Sequence, residues 1–140
     1  MSFVSAIGRR LALAAFFVLA LSLSLRSDEL ADFHAAVDEA TAEYRVAVAT
    51  LETGGQKETS AAVQRFRQAW QSLNERFVKP RPAPFADDPD YPTMFMQVDV
   101  QLVGILLTID MGNRDAARNG LAPIAETLSR LSARSAPAGR

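Results

Sequence analysis

The sequence predicts an all-α protein, an antiparallel up-down-up-down four-helix bundle whose second and third helices are joined by a Pro-rich crossover loop. Three observations lead there. Apolar residues recur at steps of three and four in four separate segments, the period of one helix face. The breaks inside the first and last pairs of segments are short, at Gly54-Gly55 and Gly112, and short breaks force antiparallel hairpins. Between the two pairs, Lys79 to Pro92 holds Pro80, Pro82, Pro84, Pro89 and Pro92, a density that no helix can cross.

The chain opens with a different kind of segment. Arg9 and Arg10 precede an unbroken apolar run, Leu11 to Leu21, that continues through Ser-Leu-Ser to Leu25. A basic stretch followed by an apolar one is the layout of a secretory signal. The run is about 15 residues, or roughly 22 Å as a helix, whereas a bilayer core needs about 20 residues. Residues 1–24 therefore read as a signal peptide, cut after Ser24, where Ser22 and Ser24 are the small residues a signal peptidase needs. Left uncut, the same segment would be a short membrane anchor. The expected location is the periplasm.

Beyond Ser24 lie about 115 residues, enough for one domain with one core. The whole chain carries 15 Lys and Arg against 16 Asp and Glu, a net charge of −1, and losing Arg9 and Arg10 makes it more acidic. Nucleic-acid binding, which needs a basic surface to displace counterions, is disfavoured. There is no Cys, which rules out disulfides, thiolate metal sites, covalent haem attachment and a cysteine nucleophile.

The bundle is expected over residues 25–134. In its first helix Leu30, Phe33, Val37, Ala40, Tyr44, Ala47 or Val48, and Leu51 form the stripe. Ser27 or Asp28 is the expected cap, and Gly54-Gly55 the stop. The second helix runs from about Lys57 to Lys79, with Val63, Phe66, Trp70, Leu73 and Phe77 inward and Pro80 ending it. Asp87, Asp88 and Asp90 of the proline loop are expected in solvent. The third helix starts near a Thr93 cap and runs to Met111. The fourth starts near Asn113, with Ala117, Leu121, Ile124, Leu128 and Leu131 inward. Pro123 predicts a kink or a late start there, because it cannot donate to the carbonyl of Asn119. Residues 135–140 read as a disordered tail. Charge supports the order: the first helix is acidic, the second and fourth are basic on balance, and the third carries only Asp99 and Asp110, so neighbours alternate in sign.

The third helix has too many apolar residues for one stripe. Stepping about 100° per residue separates two faces. Phe95, Val98, Leu102, Ile105 and Ile109 make one. Met96, Val100, Val103, Leu107 and Met111 make the other. Gln97, Gln101, Gly104 and Thr108 line a polar strip between them. The second face is either an interface, for a homodimer or another protein partner, or an arc covered by the proline loop or a neighbouring helix.

Candidate chemistry is sparse. His34 is the only histidine, and with Met94 or Met96 at the same end of a bundle it forms a soft donor set suited to copper or a b-type haem. Asp99 and Asp110 lie about three turns apart, too far for a paired-carboxylate acid and base. No nucleophile elbow and no phosphate-binding glycine loop is present. The expectation is a non-enzymatic binding or interaction protein, with a copper or haem protein as the alternative.

The segment Asp110-Met-Gly-Asn-Arg-Asp-Ala-Ala-Arg118, followed by Leu121, Ile124, Leu128 and Leu131, resembles the third-to-fourth-helix hairpin of the cytochrome c′ and cytochrome b562 group of exported four-helix bundles. The resemblance spans roughly Ser27 to Ala133 and implies the same bundle. It does not carry the haem. Cytochrome c′ implies Cys-x-x-Cys-His in the last helix, and cytochrome b562 implies a Met in the first helix and a His in the last. Here the His is in the first and the last has neither, so the resemblance implies a haem-free relative.

Overall fold

The computed structural model describes residues 3–137, with side chains from Arg26 onward. It contains four α-helices, α1 (Phe3–Thr53), α2 (Gln56–Phe77), α3 (Tyr91–Asp110) and α4 (Arg114–Ser135), with a 3₁₀ turn at Ala83–Phe85 and no strand among the described residues. α1 packs against α2 and α4, and α3 packs against the same two helices from the other side. The core runs through the middle of these four contacts.

α1 does not begin at Ser27 or Asp28. It passes through them unbroken from Phe3, because nothing between Arg9 and Thr53 is a Gly or a Pro that would interrupt it. The side chains of the expected signal segment, 1–24, lie outside the described residues. At the other end of α1 the stop is as expected: the Gly54 amide bonds to the Thr50 carbonyl at 2.7 Å, and Gly55 takes extended backbone to open α2. Thr59 clamps this turn, its buried hydroxyl donating to the carbonyls of both Gly55 and Thr50.

The second tight turn is built by Gly112, whose φ of 74° is the left-handed conformation that glycine tolerates best. The Asn113 amide bonds back to Thr108 and the Gly112 amide to Ile109, the pair of bonds that closes a Schellman motif. The Asn113 side chain then accepts from the Ala116 amide at 3.0 Å, which caps α4. That cap sets the start of α4 at Arg114. The late start expected from Pro123 does not occur, and Pro123 sits inside the helix.

The two turns brace one another. Arg114 donates to the carbonyls of Leu51 (2.8 Å) and Gly54, and Gln56 donates to the carbonyl of Asp110 at 2.8 Å. Each long side chain satisfies carbonyls left free at the end of a helix it does not belong to. Arg118 adds a two-pronged contact to Glu52, at 2.7 and 3.0 Å.

The far end is closed by aromatics. Phe85, carried by the 3₁₀ turn, stacks on Tyr91 at 4.8 Å and meets Phe33 edge-on at 5.6 Å. From Tyr91 the ring contacts continue to Phe95, Trp70, Phe66 and Tyr44. Trp70 is fully buried, as its place on the α2 stripe predicts. The Tyr91 hydroxyl donates to the carbonyl of Phe77 at 2.9 Å, joining the end of α2 to the start of α3.

Two expectations for this end need correction. α3 starts at Tyr91 and not at Thr93, because Pro92 falls in the first helical turn, where its missing N–H costs nothing. Asp88 is not in solvent. Its carboxylate is 8% exposed and takes Arg130 at 2.8 Å and Arg134 at 2.5 Å, while Asp87 and Asp90 stay outside. Burial pushes the Asp88 carboxyl up, but hydrogen bonds from Arg134, the Asp90 amide and Arg130 outweigh it and hold it below the usual carboxylate range. Arg134 also lies over the Phe85 ring, 4.4 Å from its centre, so one side chain secures both the charge and the plug of the loop.

The expected tail also begins later than 135. Ser135 is the last residue of α4 and is buried. Residues 138–140 of that tail lie outside the described residues.

Candidate functional site

α3 separates its apolar residues as its period predicts. Phe95, Val98, Leu102, Ile105 and Ile109 are buried between α2 and α4. Met96, Val100, Val103, Leu107 and Met111 are 55–71% exposed, and neither the proline loop nor another helix covers them. Val46 on α1 is the one further large hydrophobic exposed among the described residues. The outer face is therefore concentrated on a single helix. Gly104 borders it, exposed, with nothing within 4 Å of where a Cβ would project. Gln97 and Gln101 border it in solvent, while the Thr108 hydroxyl folds back onto the carbonyl of Ile105.

The flank toward α2 is polar. Asp99 accepts from the Asn74 amide at 3.2 Å, and its second oxygen, Oδ1, is buried without a hydrogen-bond partner. Burial raises the Asp99 carboxyl, against the opposing pull of Arg67 and the Asn74 bond. Asp110 is exposed at the end of the helix. By length and composition α3 would suffice to cross a membrane. The reason lies in its two apolar faces, one given to the core and one to the outside.

His34 occupies a separate site, at the α1–α4 edge. Its Nδ1 lies 2.8 Å from the Ser135 hydroxyl and its Nε2 lies 3.6 Å from the Asp38 carboxylate. Together with Leu30, Ala31, Ala35 and Pro137 they line a groove of about 540 Å³. Serine, histidine and aspartate in a row are the parts of a hydrolytic nucleophile, but this row is unsuited to that work. Ser135 is 1% exposed and ends α4, where free carbonyls gather and no cluster of N–H groups can hold an oxyanion. The row instead fastens the end of α4 to α1.

The two methionines offered as alternative partners of His34 lie on different faces of α3. Met94 faces the core and Met96 the exterior, as residues two apart on a helix must, so one site cannot hold both. His34 faces α4, with Ser135 and Asp38 as its partners. No three of His, Cys, Asp and Glu come together in a metal-binding group among the described residues. Sequence reasoning missed Ser135 as the partner of His34 and Asp88 as the anchor of the loop. Each depends on residues 42 or more positions away, and no local pattern signals it.

Comparison of the chain with protein-family models, curated proteins and solved structures gave no match.

Proposed function

We propose that this chain is an exported, non-enzymatic helical-bundle protein of the periplasm, and that it works by binding a protein partner through the outer face of α3. In this reading the helices run up-down-up-down and antiparallel, with the proline-containing segment as the crossover between two hairpins. The bracing of both tight turns against each other, through Arg114 and Gln56, supports that course. Export rests on Arg9-Arg10 and the apolar run behind them.

The observation that carries the binding role is the exposure of Met96, Val100, Val103, Leu107 and Met111 on one helix face. Together they present on the order of 500 Å² of apolar surface, the size of patch that marks an interaction site. Covering it is worth roughly 12 kcal/mol before the costs of association. Among the described side chains Val46 is the one other large hydrophobic left exposed, so no general excess of hydrophobicity among them accounts for this face.

The test is light scattering on a sizing column for the parent chain and for Val100→Asp and Leu107→Asp. Both positions are exposed, so the variants should keep the parent's helical circular dichroism. The expected result is an assembly in the parent that both substitutions abolish, because each would bury an unpaired carboxylate in the contact. An assembly that survives both substitutions overturns the reading.

A further inference from the structure

We infer that His34 and Asp38 form a binding site for a divalent cation of the zinc type, with the imidazole Nε2 and the Asp38 carboxylate as its two protein ligands. The site lies between α1 and α4 and is separate from the binding role proposed for α3.

The two residues stand four apart on α1, so the helix sets their side chains one above the other on one face. Nε2 and Oδ2 are 3.6 Å apart. That separation is too long for a hydrogen bond. It is close to the roughly 3.3–3.5 Å that separates two ligand atoms of a tetrahedral zinc, whose bonds to nitrogen and oxygen are about 2.0–2.2 Å. The small remaining adjustment falls to Asp38, the more exposed of the two side chains.

The ring is held from behind. Its Nδ1 lies 2.8 Å from the hydroxyl of Ser135, and that hydroxyl lies 3.3 Å from the Ser132 carbonyl. Ser135 is 1% exposed, so water does not compete for it. A histidine that binds a cation through Nε2 carries its proton on Nδ1, and an acceptor at Nδ1 fixes the ring and makes Nε2 a better ligand. Ser135 becomes that acceptor when its own proton turns to Ser132. The end of α4 thus prepares a ligand that belongs to α1. In return, a cation on Nε2 would strengthen the bond from Nδ1 to Ser135 and draw the two helices together.

The donor types choose the cation. One imidazole nitrogen and one carboxylate oxygen suit Zn²⁺. Copper(I) favours thiolate or thioether sulfur, whereas Ca²⁺ and Mg²⁺ take oxygen ligands. No third His, Cys, Asp or Glu joins the pair among the described residues. The remaining positions fall to water, for which the groove of about 540 Å³ beside His34 and Asp38 has room. Two protein ligands are fewer than the three or four of catalytic and structural zinc sites, so the cation would exchange with solvent.

The test is isothermal titration of Zn²⁺ into the full, untagged chain at neutral pH in a non-chelating buffer. It is repeated with His34→Ala, Asp38→Asn and Ser135→Ala, each checked for the parent's helical circular dichroism. One Zn²⁺ per chain is expected. His34→Ala should abolish binding, and Asp38→Asn and Ser135→Ala should each weaken it about tenfold or more. Co²⁺ in place of Zn²⁺ should give visible bands in the parent that His34→Ala lacks, while Ca²⁺ and Mg²⁺ give no heat. Absence of zinc binding in the parent, or equal binding in the parent and both ligand variants, overturns the site and leaves the pair an ordinary salt bridge. Binding lost in His34→Ala but unchanged in Asp38→Asn means that the histidine acts alone, and overturns the pair. If His34→Ala does not fold, Asp38→Asn, at an exposed position, decides by itself. None of these results alters the light-scattering test of the α3 face.

Discussion

Arg134, at the end of α4, holds Asp88 of the proline loop with Nη1 2.5 Å from Oδ2, across 46 residues of chain. The same guanidinium lies over Phe85, and Arg130 grips the same carboxylate oxygen. One half-buried acid and two arginines thus decide whether the segment between α2 and α3 stays against the bundle. Asp88→Ala is expected to release it while the helices remain. The check is chymotrypsin cleavage after Phe85, which should speed up at least tenfold in Asp88→Ala and in Arg134→Ala, with little change in helical circular dichroism.

Acid should have the same effect. The Asp88 carboxyl is held below the usual range in the folded chain, so its contribution is complete above about pH 4, the ordinary Asp range, and disappears as pH falls through its lower folded value. Melting temperature in the parent should therefore drop as pH falls below about 4. In Asp88→Asn that part of the drop should be missing. Equal slopes in both proteins would show that the ion pair contributes nothing.

At the other extreme of pH, burial raises the hydroxyl pKa of both Tyr44 and Tyr91, Tyr91 well beyond the usual tyrosine range. Folded chain should thus hold its protons past pH 10, while unfolded chain ionises there, and stability should fall as pH rises above about 10. Phenolate absorbance is expected to appear together with the loss of helical signal and not before it. Tyr91→Phe, which leaves the carbonyl of Phe77 without its partner, should cost about 1–2 kcal/mol at neutral pH.

Much of this architecture is legible in the sequence because it is local. The stripes of the second and fourth helices, the burial of Trp70 and the two faces of α3 all follow from a period of 3.6, and Gly54 and Gly112 mark the turns. What is not legible depends on distant contacts or on the tolerance of a first turn. Asp88 looks like one of three solvated acids until Arg130 and Arg134 reach it from 42 and 46 residues away. Ser135 looks like the start of a tail until it meets His34, 101 residues before it. Pro92 looks like a barrier before α3 and is part of its first turn.

Two glycines in neighbouring helices should respond oppositely to the same change. A Cβ at Gly120 would come within 2.7 Å of Cγ1 of Ile105, so α4 packs on α3 through that missing atom. Gly120→Ala should lose about 1–2 kcal/mol, the cost of overpacking exceeding the gain in helix propensity. Gly104→Ala meets nothing within 4 Å and should gain roughly 0.5–1 kcal/mol in the fold of the single chain. Urea melts of both variants at concentrations too low for association are the check. A stabilised Gly120→Ala would contradict the close approach of the two helices.

The central claim, that the outer face of α3 is a binding surface, is tested most directly by methionine oxidation. Met94 is buried in the core, whereas Met96 and Met111 are exposed on that face. Brief peroxide treatment of intact cells, followed by mass spectrometry, is compared with the same treatment of dilute purified chain. The account expects Met96 and Met111 to oxidise quickly in the dilute chain and at least several-fold more slowly in cells, with Leu107→Asp restoring the fast rate and Met94 slow throughout. Fast oxidation of Met96 and Met111 in cells as well would show the face uncovered where the protein works, and would contradict the account.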